Sequence, residues 1–330
     1  MSNNNFTSFW QSPLWSDILS RTDQAESIWY IFQSKKILIE RRKIVGKYTG
    51  LYILWWEENS ITQECLDGIS QKVVWKTDLF LQIEPIANWL PIQSTKYKIQ
   101  NKAPFRRFIE PVTALIPLSD TTAEKVFQNF KEKGRYNIRV AERRGVTTQW
   151  VKWDNICPFF SPDWSIKKQT YAEVFFDLLE ETTKRDNFSH NALPYYQTFL
   201  QILEKNNAGW LLIAVRENII HAAGVFVYWN NHAIYYYGAS SSLPEIRRDH
   251  GAHLLQWHAI QEALRRGCSD YDLLGISSHE WDKLAGVTTF KMWFWPKKVI
   301  IPPEKVIILR PRLLKMLQSA NKLRKMLRPR

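Results

Sequence analysis

The chain is predicted to be an α/β protein made of two similar units. Short β-branched and aromatic runs alternate with stretches of helical period in both halves, and the second half repeats the order of the first. A length of 330 residues with 45% hydrophobic content is enough for two apolar cores.

In the first half IWYIF (28–32), KILIERR (36–42) and LYILWW (51–56) have the composition of short strands. CLDGISQKVVWK (65–76) has a helical period and delivers the chain into the strand LFLQIEP (79–85). A Lys-rich, Pro-punctuated loop covers 95–107, and TALIPL (113–118) is the next strand. Ser119 or Asp120 is placed to cap a helix that starts near Thr122 and turns Val126, Phe127 and Phe130 inward. That helix leads into KEKGRYNIRVAERRGV (131–146). As a helix it sets Arg135, Arg139 and Arg143 on one face and Ile138 and Ala141 where they can pack inward, with Gly145 as its stop.

In the second half VTTQWV (146–151) is a strand, and 169–185 and 194–204 are helical. WLLIAVR (210–216), IIHAAGVFVYW (219–229) and HAIYYYGAS (232–240) form a meander through turns at Glu217-Asn218 and Asn230-Asn231. A glycine-containing loop, a helix to about Arg266, the strand YDLLGI (271–276) and the aromatic segment TTFKMWFWPKKVII follow.

The formal charge of +13 is concentrated in two places: residues 131–146 carry six basic against two acidic side chains, and 310–330 carry eight cations and no acid. Basic patches on a nearly neutral body suit a polyanionic partner such as nucleic acid, a diphosphate or an anionic membrane face, although a basic helix can also be merely solvated. Cys65, Cys157 and Cys268 have no metal-ligand spacing, and an odd count argues against a disulfide framework. With no secretory signal at the N-terminus and no apolar run long enough to span a bilayer, a cytoplasmic protein is expected. His221, His232, His258 and His279 show neither metal nor triad spacing.

The order meander, glycine loop, helix, strand resembles the N-acetyltransferase (GNAT) fold. There the loop reads Arg or Gln, two residues, Gly, one residue, Gly or Ala, so that N–H groups at the helix start approach a pyrophosphate. Arg248, Gly251 and His253 occupy these places, and His253 is bulkier than the pattern wants.

Several segments together resemble the Fem family, aminoacyl-tRNA-dependent transferases that add amino acids to the stem peptide of peptidoglycan precursors. They are FWQSPLW, LFLQIEP, KGRYNIRVAERRGV, TTKRDNF, IYYYGASS, HGAHLLQWHAIQEALRRGCSDYDLLGI and GVTTFKMWFW, in family order over nearly the whole chain. The resemblance implies two GNAT-like domains, 1–147 and 148–305, with a substrate cleft between them. Residues 306–330 would form a basic helix returning to the first domain, and the short stretch from Arg185 to Gly209 leaves no room for a coiled-coil arm. It also implies two polyanionic substrates: aminoacyl-tRNA as co-substrate, with no further cofactor, and a muramyl pentapeptide carried as a UDP conjugate or on a lipid. The anion-binding role of Lys133, Arg135 and Arg139 follows.

By the same resemblance Phe290 and Lys291 lie at the reaction centre, where Lys291 would stabilise charge on the ester or on the tRNA terminus; the bland alternative is a solvated lysine. Tyr195 and Tyr237 match tyrosines at the acceptor substrate. Asn191 stands where armless relatives have a phosphate-binding arginine, and a lysine expected near Trp15 is missing, which shifts expectation toward the lipid-linked acceptor or toward a different set of cations. Glu84 is the candidate general base, or else a strand-end cap. The tail helix could touch an anionic membrane, hold tRNA phosphates, or pack its leucines on the first domain. Two other functions fit the same residues: a coenzyme A-dependent N-acyltransferase, which His253 opposes, and a basic nucleic-acid-binding protein without catalysis.

Overall fold

The computed structural model describes residues 8–56, 61–85, 96–159, 169–277 and 285–326. His279 lies outside them, as does the end of the tail, and the side chains of 321–326 are likewise left aside. The chain divides into two compact units, one of residues 1–111 with 300–330 and one of Val112–Val299.

In the first unit α1 (Pro13–Arg21) precedes a meander of β1 (Glu26–Phe32), β2 (Lys35–Val45) and β3 (Tyr48–Trp56). Pro13 at the first helical turn and the Ser12 hydroxyl, which accepts from Trp15 N, start α1. Then α2 (Gln63–Lys72) crosses over to β4 (Asp78–Pro85), which runs parallel to β3, and β5 (Ile99–Gln100) lies at the far edge. The alternation of β3 and β4 splits their side chains: Leu51, Ile53, Leu81 and Ile83 bury against Ile69 of α2, while Tyr52, Leu54 and Phe80 face the other way.

The second unit takes β6 (Val112–Pro117), α3 (Ala123–Asn129), α4 (Glu132–Arg143), β7 (Thr147–Val151), α5 (Tyr171–Asp186) and α6 (Leu193–Lys205). Its meander is β8 (Gly209–Arg216), β9 (Ile219–Trp229) and β10 (His232–Ser240). After α7 (Pro244–Arg247) and α8 (Gly251–Arg265), β11 (Asp270–Gly275) runs parallel to β10. Last come α9 (Ala285–Met292) and β12 (Lys297–Ile300), giving a sheet ordered β12-β6-β11-β10-β9-β8-β7.

Each unit therefore has an antiparallel meander, a crossover helix and one parallel strand. In each, that parallel strand gains a further antiparallel neighbour: β6 beside β11, and β13 (Lys305–Ile308) beside β4. The sequence reading put a boundary after residue 147. β6, α3 and α4 instead belong with the second sheet, because Ala114, Ile116, Phe130, Ile138 and Ala141 pack into one cluster with Leu254, Ile260 and Leu273. Beyond β13, α10 (Pro311–Met326) buries Leu314 with Phe80 and Val306 of the first unit, with Leu313 and Leu317 alongside. Among the described residues no helix is long and apolar enough to cross a membrane.

Candidate active site

In the second unit β10 and β11 pair only from His232–Ile234 to Asp270–Asp272. Past that point β10 is bulged between Tyr235 and Tyr237 and stays with β9, while β11 turns through Leu274 at φ +59° and stays with β6. Parallel strands that part in this way leave main-chain groups without ladder partners, and side chains have to answer them.

Lys291 answers one. It is 7% exposed, and its ammonium donates to the Gly275 carbonyl oxygen at 2.7 Å, at the end of β11. Asp272 lies nearby, buried, accepting from the Thr113 hydroxyl at 2.5 Å and from Leu274 N at 2.8 Å. Burial pushes its pKa up to about 6, against those hydrogen bonds and the charge of Lys291. Lys291 is thus a fixed ammonium and not a solvated lysine. Neighbouring Phe290 is half-buried, its ring 5.1 Å from that of His253 and 5.4 Å from that of Phe294.

His253 sits in the first turn of α8. Its imidazole stacks on Trp293 at 5.0 Å, and Nε2 is 3.1 Å from the Asn137 side-chain amide of α4. Burial lowers its pKa to about 3, so the ring is neutral. The glycine of this motif is explained by packing: a Cβ on Gly251 would come within 2.8 Å of the His221 Cβ. Asp249, just before it, is held below the usual carboxylate range although burial alone would raise it, because Arg216 and Arg144 bind its two oxygens at 2.6 and 2.7 Å. Arg248 is exposed, its guanidinium donating to Glu245 O and its carbonyl accepting from Arg144.

The start of the basic helix α4 meets the residue that follows α9 closely. Lys131 N donates to Trp293 O at 3.0 Å, and a Cβ on Gly134 would lie 2.6 Å from that oxygen. Ile138 and Ala141 are buried as the spacing predicts, and Asn137 is buried beside them. The arginines are less uniform than their spacing suggests. The Arg135 guanidinium turns back onto the carbonyls of Gln128 and Phe130 at the end of α3, satisfying a helix terminus, while Arg139 and Lys133 are exposed. Along the outer side of α4 a shallow groove is lined by Arg135, Tyr136, Arg139 and Arg143, between Glu132 and Glu142.

Tyr195 of α6 and Tyr237 of β10 are brought together, their hydroxyls 2.9 Å apart. Burial raises the Tyr237 pKa, and the neighbouring tyrosines add to the rise. Asn191 is half-buried ahead of α6, its N–H donating to the Tyr196 hydroxyl at 3.2 Å. TTKRDNF ties α5 to the end of β10: the Thr182 hydroxyl bonds Ser240 N and O, and Arg185 donates to Ser240 O and Ser241 O. The sequence reading named TTKRDNF without this role, and it missed Asn137 and Thr113 altogether, since their partners lie 116 and 159 residues away.

Glu84 belongs to the first unit. It is wholly buried, and its oxygens accept from Phe108 N at 2.9 Å, Ile109 N at 2.6 Å and Gln82 Nε2 at 2.6 Å. Burial raises its pKa, but with its lone pairs committed to main-chain donors it pins a loop to the end of β4. That is the strand-end cap and not an accessible base. Among the described residues no cluster of His, Cys, Asp and Glu could hold a metal ion.

A meander, a crossover helix and a parallel pair, twice in one chain, with the pair splayed in the second unit, define the class of tandem GNAT-like transferases. The sequence profile of the FemAB family matches residues 108–215 and 211–301, and the chain belongs to that family of peptidoglycan-related aminoacyltransferases. A search of curated protein sequences finds no match. Among solved structures the crystal structure of FemX superposes with a TM-score of 0.75 at 14% identity, covering 96% of each chain. A conserved protein of unknown function from Bacteroides thetaiotaomicron gives 0.56 at 9% identity, over 90% of this chain and 91% of that one. The C-terminal domain of a putative lysylphosphatidylglycerol synthetase from Agrobacterium fabrum gives 0.50 at 12% identity, over 94% of this chain and 97% of that one.

Proposed function

We propose that the protein transfers an amino acid from aminoacyl-tRNA to the stem-peptide amine of a muramyl-pentapeptide precursor, building an interpeptide bridge. The observation that carries this reading is the Lys291 ammonium fixed at the end of β11 beside the parting of β10 and β11. Attack of an amine on an ester carbonyl builds negative charge on the carbonyl oxygen, and a pre-positioned cation in a partly desolvated place stabilises that charge without reorganising at the moment of reaction. The amine loses its proton to a group other than Glu84, and the tRNA ribose leaves with the electron pair of the ester bond.

The outer face of α4 supports the tRNA part of the reading. Exposed Lys133, Arg139 and Arg143 supply phosphate contacts, and Tyr136, 55% exposed among them, supplies a ring on which a base can stack. Tyr195 and Tyr237 are the acceptor-side residues. With Asn191 in place of an arginine, the lipid-linked precursor is the preferred acceptor form, and the basic α10 would then lie close to the anionic lipid surface that carries it.

The test is aminoacyl transfer from mixed charged tRNAs to UDP-linked and lipid-linked pentapeptide, run with wild type and with Lys291→Ala. Transfer by the wild type and its loss in a folded variant support the reading. Turnover of acetyl-coenzyme A with indifference to tRNA would overturn it.

A further inference from the structure

Lys291 is held at the end of β11, and that end is not regular strand. Between the pairs Asp272–Leu115 and Gly275–Thr113 the register with β6 shifts, so that β11 has Leu273 and Leu274 opposite the single Ala114 of β6. The extra residue is taken up at Leu274, which sits at φ +59°. Left-handed backbone is unfavourable for a leucine, so such a bulge persists only where neighbouring groups fix it. A bulge also re-aims the main-chain groups beside it. Here the Gly275 carbonyl oxygen is aimed at the Lys291 ammonium, 2.7 Å away. The chain then rejoins β6 through Ile276 N, which donates to Val112 O at 2.9 Å.

One oxygen joins the two sides of the bulge. Asp272 Oδ1 accepts from Leu274 N at 2.8 Å, within the bulge, and from the Thr113 hydroxyl at 2.5 Å, across on β6. Both side chains are buried, Asp272 at 8% exposure and Thr113 at 5%. If closing the sheet were all that was needed here, two apolar side chains of the same shape would serve as well, without a carboxylate to desolvate. What the polar pair adds is the shape of the bulge. That shape sets the direction of the Gly275 carbonyl, and the carbonyl sets where the ammonium is held.

We propose that Thr113 and Asp272 are positioning residues for the transfer reaction: they fix the Leu274 bulge, the bulge presents the Gly275 carbonyl, and the carbonyl holds the Lys291 ammonium in place. Their part in the reaction rests on the reading given above for Lys291, whereas their hold on Lys291 does not. The test makes two measurements on the full chain with Thr113→Val, which keeps the shape of the side chain and removes its donor, and with Thr113→Ser, which restores the donor. The first is reductive methylation of lysines, read by peptide mass, with the exposed Lys133 as internal reference. Lys291 is expected to react slowly in wild type, several-fold faster in Thr113→Val and slowly again in Thr113→Ser. The second is transfer kinetics. Thr113→Val should lower kcat by about tenfold, the scale of one lost hydrogen bond, with KM for both substrates unchanged, and Thr113→Ser should recover most of the loss. In a Lys291→Ala background Thr113→Val should have no further effect, because it acts through that lysine. Asp272→Ala removes the shared acceptor and should also release Lys291; should that variant not fold, Thr113→Val carries the test, with circular dichroism as the folding control. Equal Lys291 reactivity in folded wild type and Thr113→Val, or the same loss of rate from Thr113→Val with and without Lys291, would overturn the proposal. Release of Lys291 in Thr113→Val from a wild type that transfers nothing would instead overturn the transfer reading and leave the hold on Lys291 supported.

Discussion

The Lys291 ammonium and the Gly275 carbonyl oxygen are joined by a 2.7 Å hydrogen bond across sixteen residues of chain. This bond ties α9 to the end of β11 and fixes one positive charge in a buried place. Replacing Lys291 with alanine should lower the transfer rate by about 10²–10³-fold, the range for losing one pre-positioned donor to a developing oxyanion. Arginine in its place should recover only part of the rate, because its fork cannot reproduce a compact ammonium. Steady-state rates with circular dichroism as the folding control check this, and near-normal turnover of the alanine variant would reject the role.

Glu84 offers the opposite expectation. Its oxygens receive Phe108 N and Ile109 N, so Glu84→Gln turns one acceptor end into a donor facing donors. The variant should lose on the order of 1–3 kcal/mol of stability while keeping its rate per folded molecule. Denaturant titration and active-site-normalised rates separate the two effects, and a large rate loss at unchanged stability would restore Glu84 as a base.

Gly134 is fixed by proximity. A methyl group there would stand 2.6 Å from Trp293 O, a main-chain atom that already accepts from Lys131 N. Gly134→Ala should destabilise by about 1–3 kcal/mol, the usual cost of overpacking, and lower the melting temperature. An unchanged melting temperature would mean that α4 does not pack against the Trp293 main chain as the geometry states.

Asp272 makes stability depend on pH. Its folded pKa of about 6 stands above the usual 3.8, so between these values the folded state holds a proton that the unfolded state has lost. The contribution is fully present below pH 3.8 and is lost as pH rises through 6. The loss is on the order of 3 kcal/mol at about 1.4 kcal/mol per unit. Asp272→Asn keeps an acceptor for the Thr113 hydroxyl and removes the titration. The variant should therefore gain stability relative to wild type as pH rises from 4 to 7, measured by thermal unfolding. A constant difference across that range would contradict the assignment.

Much of the fold could be read from periodicity. Ile138 and Ala141 were placed inward by spacing alone, and both are wholly buried, with Gly145 at φ +77° ending their helix. The turns at Glu217-Asn218 and Asn230-Asn231 have positive φ at all four residues, as tight hairpin turns require. The division between the units was not legible, because the apolar run of β6 says that it is buried and not which sheet it joins. β13, four residues long, carries too short a pattern to be seen. Side-chain fates were hidden for a different reason: the return of Arg135 to the carbonyls of α3, the clamp of Glu84 on a loop, and the pairing of Asn137 with His253 depend on neighbours that only the folded chain supplies. The bulk of His253 could be read from its place in the motif, whereas its neutral, stacked state could not.

The most direct measurement of the central claim is the mass of the pentapeptide precursor after incubation with the protein and mixed charged tRNAs, with and without ribonuclease. A gain of one or more amino-acid residues that disappears with ribonuclease, and is absent with Lys291→Ala, is the predicted result. An unchanged precursor mass under every charged tRNA, or a gain that survives ribonuclease, would contradict it.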